Sequence, residues 1–320
     1  MKNKKLFFII IIILLLISVC LAISLGSSGL KLEELFKIEN RQILYLRLSR
    51  VFLGIVAGAG LAVAGVLFQG ILRNPLAEPY VLGVSSGAGL GAVLAICFGL
   101  SAVFLPFCAF LGAGLTMIAV YNLAKINGRV FSHGLLLSGV VVSAIFSSLL
   151  LFFVSISPNE AMHSITWWLL GSLQVFDFKL SVTCAMMVTC GISVAFYFAR
   201  DLNAISLGEE EALHLGVDSE SVSKILFTVA SLVTGSIVCV CGIIGFVGLI
   251  IPHAIRLVLG SDHKVVLPAS AISAAVFLIL ADTLSRVLMA PVEIPIGVIT
   301  ALLGGPVFIF LLRKRQKHLK

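Results

Sequence analysis

The chain has 320 residues, of which 60% are hydrophobic and only 12% charged, with a net charge of +7. A soluble globular domain carries about 25% charged residues, so this composition excludes a water-soluble fold. Continuous, non-alternating apolar runs exclude a transmembrane β-barrel, and at about 20 apolar residues per helix the length accommodates roughly ten membrane spans.

In chain order, the first apolar run, Leu6–Ile23, follows Lys2, Lys4 and Lys5. It is longer than the roughly 7–15-residue apolar region of a signal peptide. Cys20 follows Val19 rather than the small residue a lipoprotein site wants, so the run reads as a retained first helix. Gly26–Arg50 reads as an outer loop. Further spans are predicted near residues 50–72, 80–100, 103–124, 131–154, 178–199, 224–241, 243–259, 265–289 and 296–312. The tail carries Arg313, Lys314, Arg315, Lys317 and Lys320. Basic flanks favour the cytoplasmic side, which puts both termini inside and makes the number of spans even. The expected fold is all-α, with ten transmembrane helices in a single domain covering residues 1–320 of the cytoplasmic (inner) membrane. The basic residues of Gly26–Arg50 run against this rule, because the neighbouring Glu33, Glu34 and Glu39 count little in it.

The basic ends lack the folded basic face or aromatic interleaving that nucleic-acid binding requires, so no nucleic-acid partner is expected. All seven cysteines (Cys20, Cys97, Cys108, Cys184, Cys190, Cys239 and Cys241) lie in apolar stretches. They read as small packing hydrophobes. No metal-ligand spacing occurs, and no metal, disulfide or cofactor is expected.

Glycines recur along the predicted spans. Gly58 and Gly65 lie in the second, and Gly83 and Gly87 make a small-xxx-small step in the third. Such residues let helix backbones approach closely. A phosphate loop is not an alternative, since no G-x-x-x-x-G-K-[ST] is present. A shift of 177 positions superposes Pro75, Ala77, Val81, Leu82 and Gly83 on Pro252, Ala254, Val258, Leu259 and Gly260, and Gly58 and Gly65 on Gly235 and Gly242. Two halves of five spans would make this an inverted repeat, while chance matching in an apolar chain is the alternative.

Three stretches are polar where a membrane protein is usually apolar. Arg73–Pro79 reads as a helix-breaking turn or as the cytoplasmic mouth of a pathway. Leu202–Lys224 is the longest polar stretch assigned to the inside. Within it, Ser206 and Glu209 have capping-box spacing, Glu209, Glu210 and Glu211 suit a helix first turn, Gly216 suits a helix stop, and Asp218 is placed to cap a second short helix. Membrane-surface helices are usually basic on the polar face. This one is acidic, which favours a protein partner over lipid. In the third stretch, Gly242–His253, the intramembrane His253 reads as hydrogen-bonded structure or as a proton relay.

With these segments in place, the sequence resembles the FecCD family of permeases for siderophore, haem and cobalamin ABC importers. The segments that carry the resemblance run from about Leu46 to Arg313: Arg47-Leu-Ser-Arg50, Gly65-Val-Leu-Phe-Gln69, Arg73-Asn-Pro-Leu-Ala77, Leu82-Gly-Val-Ser-Ser-Gly87, Leu207–Gly216, Gly245–His253, Glu293-Ile-Pro-Ile-Gly297 and Gly304-Gly-Pro306. Ser49 departs from the pattern, where the family usually has proline. The resemblance implies a homodimer of the type II importer fold, two ATP-binding cassette subunits docked inside, a substrate-binding protein docked outside, and no bond chemistry in this chain. It implies that Leu207, Gly208, Glu209, Glu210, Glu211, Ala212, Leu215 and Gly216, with the helix after them, are coupling helices of the 202–224 segment that contact the ATPase. It also implies that Arg47, Arg50 and Arg286 receive carboxylates of the binding protein, and that Phe131, Ser132 and His133 shape an inner gate. Each role has a plainer counterpart: interfacial anchoring for Arg47 and Arg50, an internal pair with Asp282 one helical turn away for Arg286, and an ordinary loop for the gate. The competing functional class is an ion-driven secondary transporter using Asp282, His253 or Glu293 near the midplane.

Overall fold

The computed structural model describes residues 2–27, 29, 32–35, 37–126, 129–130, 132–174 and 177–317. The described chain is helical apart from one two-residue antiparallel pair, Lys125–Ile126 with Arg129–Val130. The helices are α1 (Lys2–Ser24), α2 (Leu32–Leu35), α3 (Arg41–Ile71), α4 (Val84–Cys97), α5 (Leu105–Leu123), α6 (Ser132–Ser155), α7 (Asn159–Leu169), α8 (Phe178–Tyr197), α9 (Ala199–Leu207), α10 (Glu209–His214), α11 (Ser219–Cys241), α12 (Val247–Leu259), α13 (His263–Val287) and α14 (Ile296–Lys317). Among the described residues, seven helices are long and apolar enough to cross a membrane, and α4, α12 and Ile296–Phe310 of α14 are shorter apolar helices. Every apolar stretch picked out in the sequence therefore holds a helix.

The bundle is built around α3, which is buried along most of its apolar length. Its small residues allow this. At Gly58 a Cβ would stand 2.5 Å from the Ala274 carbonyl oxygen of α13, and at Gly65 it would overlap the Gly248 carbonyl of α12. The contacts are backbone against backbone and gain dispersion energy at close approach, the dominant attraction between helices in lipid. Gly87 does the same between α4 and α5, where a Cβ would collide with Thr116 and Gly112. Gly83 has a second reason to be glycine, since its φ of 87° is left-handed, a conformation open to glycine at little cost.

α12 is short because it begins beside the middle of α3. Gly248, in its first turn, packs on the Leu61 carbonyl and on Gly65. The chain between α11 and α12 is irregular, with positive φ at Gly242 and Phe246. Irregular backbone in an apolar surround needs partners for its amides. Here they come from the segment after α3: Tyr80 Oη accepts from the Ile244 amide at 3.2 Å, and Glu78 Oε1 accepts from the Phe246 amide at 2.8 Å. The end of α7 and the start of α14 close on the same break, with Ser172 N donating to Cys241 O at 2.8 Å and Gly297 N to Leu170 O at 3.0 Å.

Two elements differ from the sequence reading. Arg41–Arg50 is not loop but the first turns of α3. Charge alone made it look like loop, yet Arg47 and Arg50 have internal partners that let a helix carry them. The helix α7 lies in a stretch read as an outer connection, because its polar residues mask an amphipathic turn pattern with Ile165 buried.

Candidate functional site: two polar ends of the helix bundle

Polar side chains gather at two ends of an otherwise apolar bundle. The first end is α9 and α10. Glu209, Glu210 and Glu211 occupy the first turn of α10, where carboxylates oppose the positive end of the helix dipole. Ala212 is fully buried, whereas Leu207, Leu213 and Leu215 are 69%, 72% and 64% exposed. Gly216, at φ 77°, ends the turn, and Val217 N bonds back to Ala212 O at 2.9 Å. The capping box expected at Ser206 does not form. Ser206 Oγ donates to Leu202 O at 2.7 Å inside α9, and the Glu211 carboxylate folds back against Gly208 instead. Asp218 does cap a helix, accepting from Ser221 N at 3.1 Å, but that helix is the long α11. The two short helices are α9 and α10, one before the acidic turn and one bearing it, rather than one on each side of Gly216. The Ser221 side chain and amide hold the Asp218 carboxyl below its ordinary range.

This end is fastened to the bundle at two places that the sequence did not pair. Arg73, just past α3, donates to Glu209 at 3.3 Å across an exposed ion pair. Asn203 of α9 bridges to the start of α13: its Nδ2 donates to Asp262 at 2.9 Å, and its Oδ1 accepts the His263 amide at 2.9 Å and lies 2.7 Å from His263 Nδ1. The hydrogen bond from Asn203 is the chief cause that keeps the Asp262 carboxyl below its ordinary range. Asp262 in turn caps α13 through the Lys264 amide at 3.1 Å.

The second end holds the three arginines singled out in the sequence. Arg50 Nη2 meets Asp282 Oδ1 at 2.8 Å, and Arg50 Nη1 meets Glu293 Oε2 at 2.8 Å. Arg286 Nε pairs with Asp282 Oδ2 at 3.0 Å within α13, the internal pair that the four-residue spacing allowed. Arg286 also donates to the carbonyls of Leu25 at 3.0 Å and Ala22 at 3.2 Å, and Arg47 to those of Ile23 at 2.6 Å and Ser24 at 3.1 Å. The last carbonyls of a helix have no intrahelical donor, so the two guanidinia cap α1 and complement the negative end of its dipole. Arg47 and Arg286 are 4% and 2% exposed. Their donors are engaged inside the protein, which runs against the expectation that they offer a free fork to an outside carboxylate. Glu293 further accepts from Ser27 at 3.0 Å and Gln174 at 3.1 Å. Burial alone would raise the Glu293 carboxyl, but the bonds and charge of Arg50, with those from Ser27 and Gln174, outweigh it and hold the group below its ordinary range.

Of the residues tied to an inner gate, Phe131 lies outside the described residues. Ser132 opens α6 and donates to Ile71 O at 3.4 Å, next to the end of α3. His133 is exposed. His253 is buried in α12. Among the described residues, no group of three or more His, Cys, Asp or Glu side chains is arranged to hold a metal ion. The polar partners that sequence reasoning missed are Ser27, Asn203, Gln174 and Glu78. Glu78 and Asn203 sat in stretches already noted as unusually polar, which was the available signal.

Comparison with known proteins adds a second line of argument. The profile described as the FecCD transport family matches residues 14–314. The chain is 42% identical over 281 residues to the cobalamin import system permease protein BtuC of Halobacterium salinarum, covering 87% of this chain and 75% of that one. It is 36% identical over 282 residues to the hemin transport system permease protein HmuU of Yersinia pestis, covering 86% and 84%. Among solved structures, a metal-chelate type ABC transporter in an inward-facing conformation superposes with a TM-score of 0.87 at 33% identity, covering 97% of this chain and 99% of that one.

Proposed function

From the premise that this chain belongs to the FecCD transport family, as an ABC transporter permease, we propose that it works as a homodimer that moves a bulky chelate inward by alternating access, driven by two separate ATP-binding cassette subunits. The candidate substrates are an iron–siderophore complex, haem or a cobalamin; the relatives named above are permease proteins for cobalamin and hemin. The observation that carries the proposal is the α9–α10 end. Three exposed leucines flank an acidic first turn, and the pair Arg73–Glu209 and the bridge from Asn203 to Asp262 fasten that patch to α3 and α13. A lipid-facing connector gains nothing from three carboxylates, whereas a protein cleft can receive both the leucines and the acids. A push on this patch reaches two core helices at once, which is what coupling two sites through a shared element requires.

In this reading the ten apolar helices all cross or enter the membrane, with both termini cytoplasmic and the α9–α10 end inside. A five-plus-five division places two short helices, α4 and α12 with 14 and 13 residues, third in each half, whereas the 177-residue shift carries α4 onto the start of α13. The second polar end then faces outside, where a substrate-binding protein docks. Of the three arginines, Arg50 is the docking group nearest the surface, at 11% side-chain exposure against 2% for Arg286, although its donors also hold Asp282 and Glu293, while Arg47 and Arg286 support the rim from beneath. Ser132 donates to Ile71 O at the inner end of α3, which is where a gate would sit. The ion-driven alternative is disfavoured because Asp282 and Glu293 are both engaged by arginine.

The deciding experiment reconstitutes the permease with its ATPase and binding protein in proteoliposomes. Chelate uptake that requires ATP and survives collapse of the proton gradient supports the proposal, and uptake that follows the gradient without ATP refutes it.

A further inference from the structure

A cavity of about 320 Å³ lies between α5 and α11. On α5 it is lined by Phe110, Gly114, Met117 and Tyr121, and on α11 by Lys224, Thr228, Ser231 and Gly235. Both sets recur at three- and four-residue spacing, so each is one continuous helix face. From residue 110 to 121, and from 224 to 235, each face runs about 17 Å at 1.5 Å per residue. That is close to half of the roughly 30 Å hydrocarbon core of a bilayer. The groove is one leaflet long.

Its glycines behave unlike those of the α3 core. A Cβ at Gly114 would meet nothing within 4 Å, and one at Gly235 would sit at ordinary contact distance, 3.6 Å, from Ala113 and Phe110. Neither glycine is required by a neighbouring helix. Together they leave apolar volume that the protein does not fill. Polar groups stand at one end only: Lys224, Tyr121 and Asn122, where α11 leaves the α9–α10 segment. Among the described residues Lys224 enters no ion pair. Glu220 lies one turn before it on α11, so a cation and an anion flank the mouth four residues apart.

We propose that the α5–α11 groove is a phospholipid site, with one acyl chain lying on Phe110, Gly114, Met117 and Gly235 and the phosphate received by Lys224 at the mouth. Tyr121 and Asn122 supply further hydrogen bonds at the same level. The neighbouring Glu220 selects a headgroup that carries an ammonium beside its phosphate, so phosphatidylethanolamine fits better than phosphatidylglycerol. An apolar stripe one leaflet deep, ending in a snorkelling lysine and a tyrosine, matches the layered polarity of a lipid molecule.

The test uses the full chain purified in mild detergent and relipidated with equal amounts of phosphatidylethanolamine and phosphatidylglycerol. Retained lipid is counted by native mass spectrometry. The wild type is expected to retain one phosphatidylethanolamine per protomer. Lys224→Glu should lower that occupancy about tenfold. Gly114→Leu, which fills open space and raises helix propensity, should lower it as much without touching the mouth. Lys179→Glu, a lysine at the start of α8, should leave it unchanged. A wild type that retains no lipid, a preference for phosphatidylglycerol, or unchanged occupancy in both groove variants would overturn the proposal. So would a change in self-association in place of lipid loss, which would mean that a second copy fills the groove.

Discussion

Arg50 of α3 donates two hydrogen bonds to a single oxygen of Asp282 on α13, from Nε at 3.1 Å and from Nη2 at 2.8 Å. The other Asp282 oxygen is held by Arg286, so one buried carboxylate bridges two guanidinia, and Glu293 supplies Arg50 with a second carboxylate. Removing one partner from such a set leaves an uncompensated charge, which costs about 3–5 kcal/mol. Asp282→Ala should therefore lower thermal stability in detergent sharply. The double variant Arg50→Met with Asp282→Leu still leaves Arg286 without its carboxylate and Glu293 without Arg50, so it should recover little of the loss. Equal melting of the single variant and the wild type would show that the pair contributes nothing.

The Arg73–Glu209 pair is exposed, and surface pairs contribute about 0–1 kcal/mol. Replacing Glu209, Glu210 and Glu211 with lysine should lower melting modestly, through loss of the pair and of the helix-dipole contribution of about 0.3–1 kcal/mol per carboxylate. The same variant should abolish chelate uptake and separate ATP hydrolysis from transport in the reconstituted complex. Full uptake by it would remove the basis for assigning α10 to the ATPase interface.

Glu293 supplies a pH dependence whose sign follows from its surroundings. Its folded carboxyl titrates below the ordinary value of 4.5. The stability it contributes is therefore fully present above about pH 4.5 and is lost as the pH falls through the lowered value. Melting curves recorded between pH 3 and 7 on the wild type should show this acid loss, and Glu293→Gln should flatten it. An identical acid limb in both proteins would assign the loss to other carboxylates.

Gly65→Ala and Gly114→Ala add the same atom in different surroundings. The first Cβ overlaps the Gly248 carbonyl, while the second meets open space. Overpacking of this kind costs about 1–3 kcal/mol, so Gly65→Ala should melt lower and Gly114→Ala should match or exceed the wild type. Comparable melting of the two would mean that α3 and α12 separate freely.

Much of this architecture was legible in the chain because lipid imposes a simple rule: long apolar runs become helices. The acidic turn at Glu209, the stop at Gly216 and the pair of Asp282 with Arg286 are all local patterns, readable at spacings of three or four. What was not legible depends on distant residues. Arg41–Arg50 looked like loop because nothing nearby shows that α1 carbonyls and Asp282 will receive its charges. Ser206 had the right spacing for a cap, but its hydroxyl bonds back into α9, and the chain turns at Gly208. The reach of Asn203 to Asp262, and of Glu78 to Phe246 168 positions away, belongs to the packed bundle alone.

The break between α11 and α12 has one more implication. Two of its amide donors are satisfied by Glu78 and Tyr80, which belong to the segment leading into α4. In an apolar surround, unpairing such donors costs several kcal/mol each, so the break and that segment are yoked. Any swing of α12 carries the start of α4 with it. The two short helices are therefore joined as one jaw rather than standing as two independent parts.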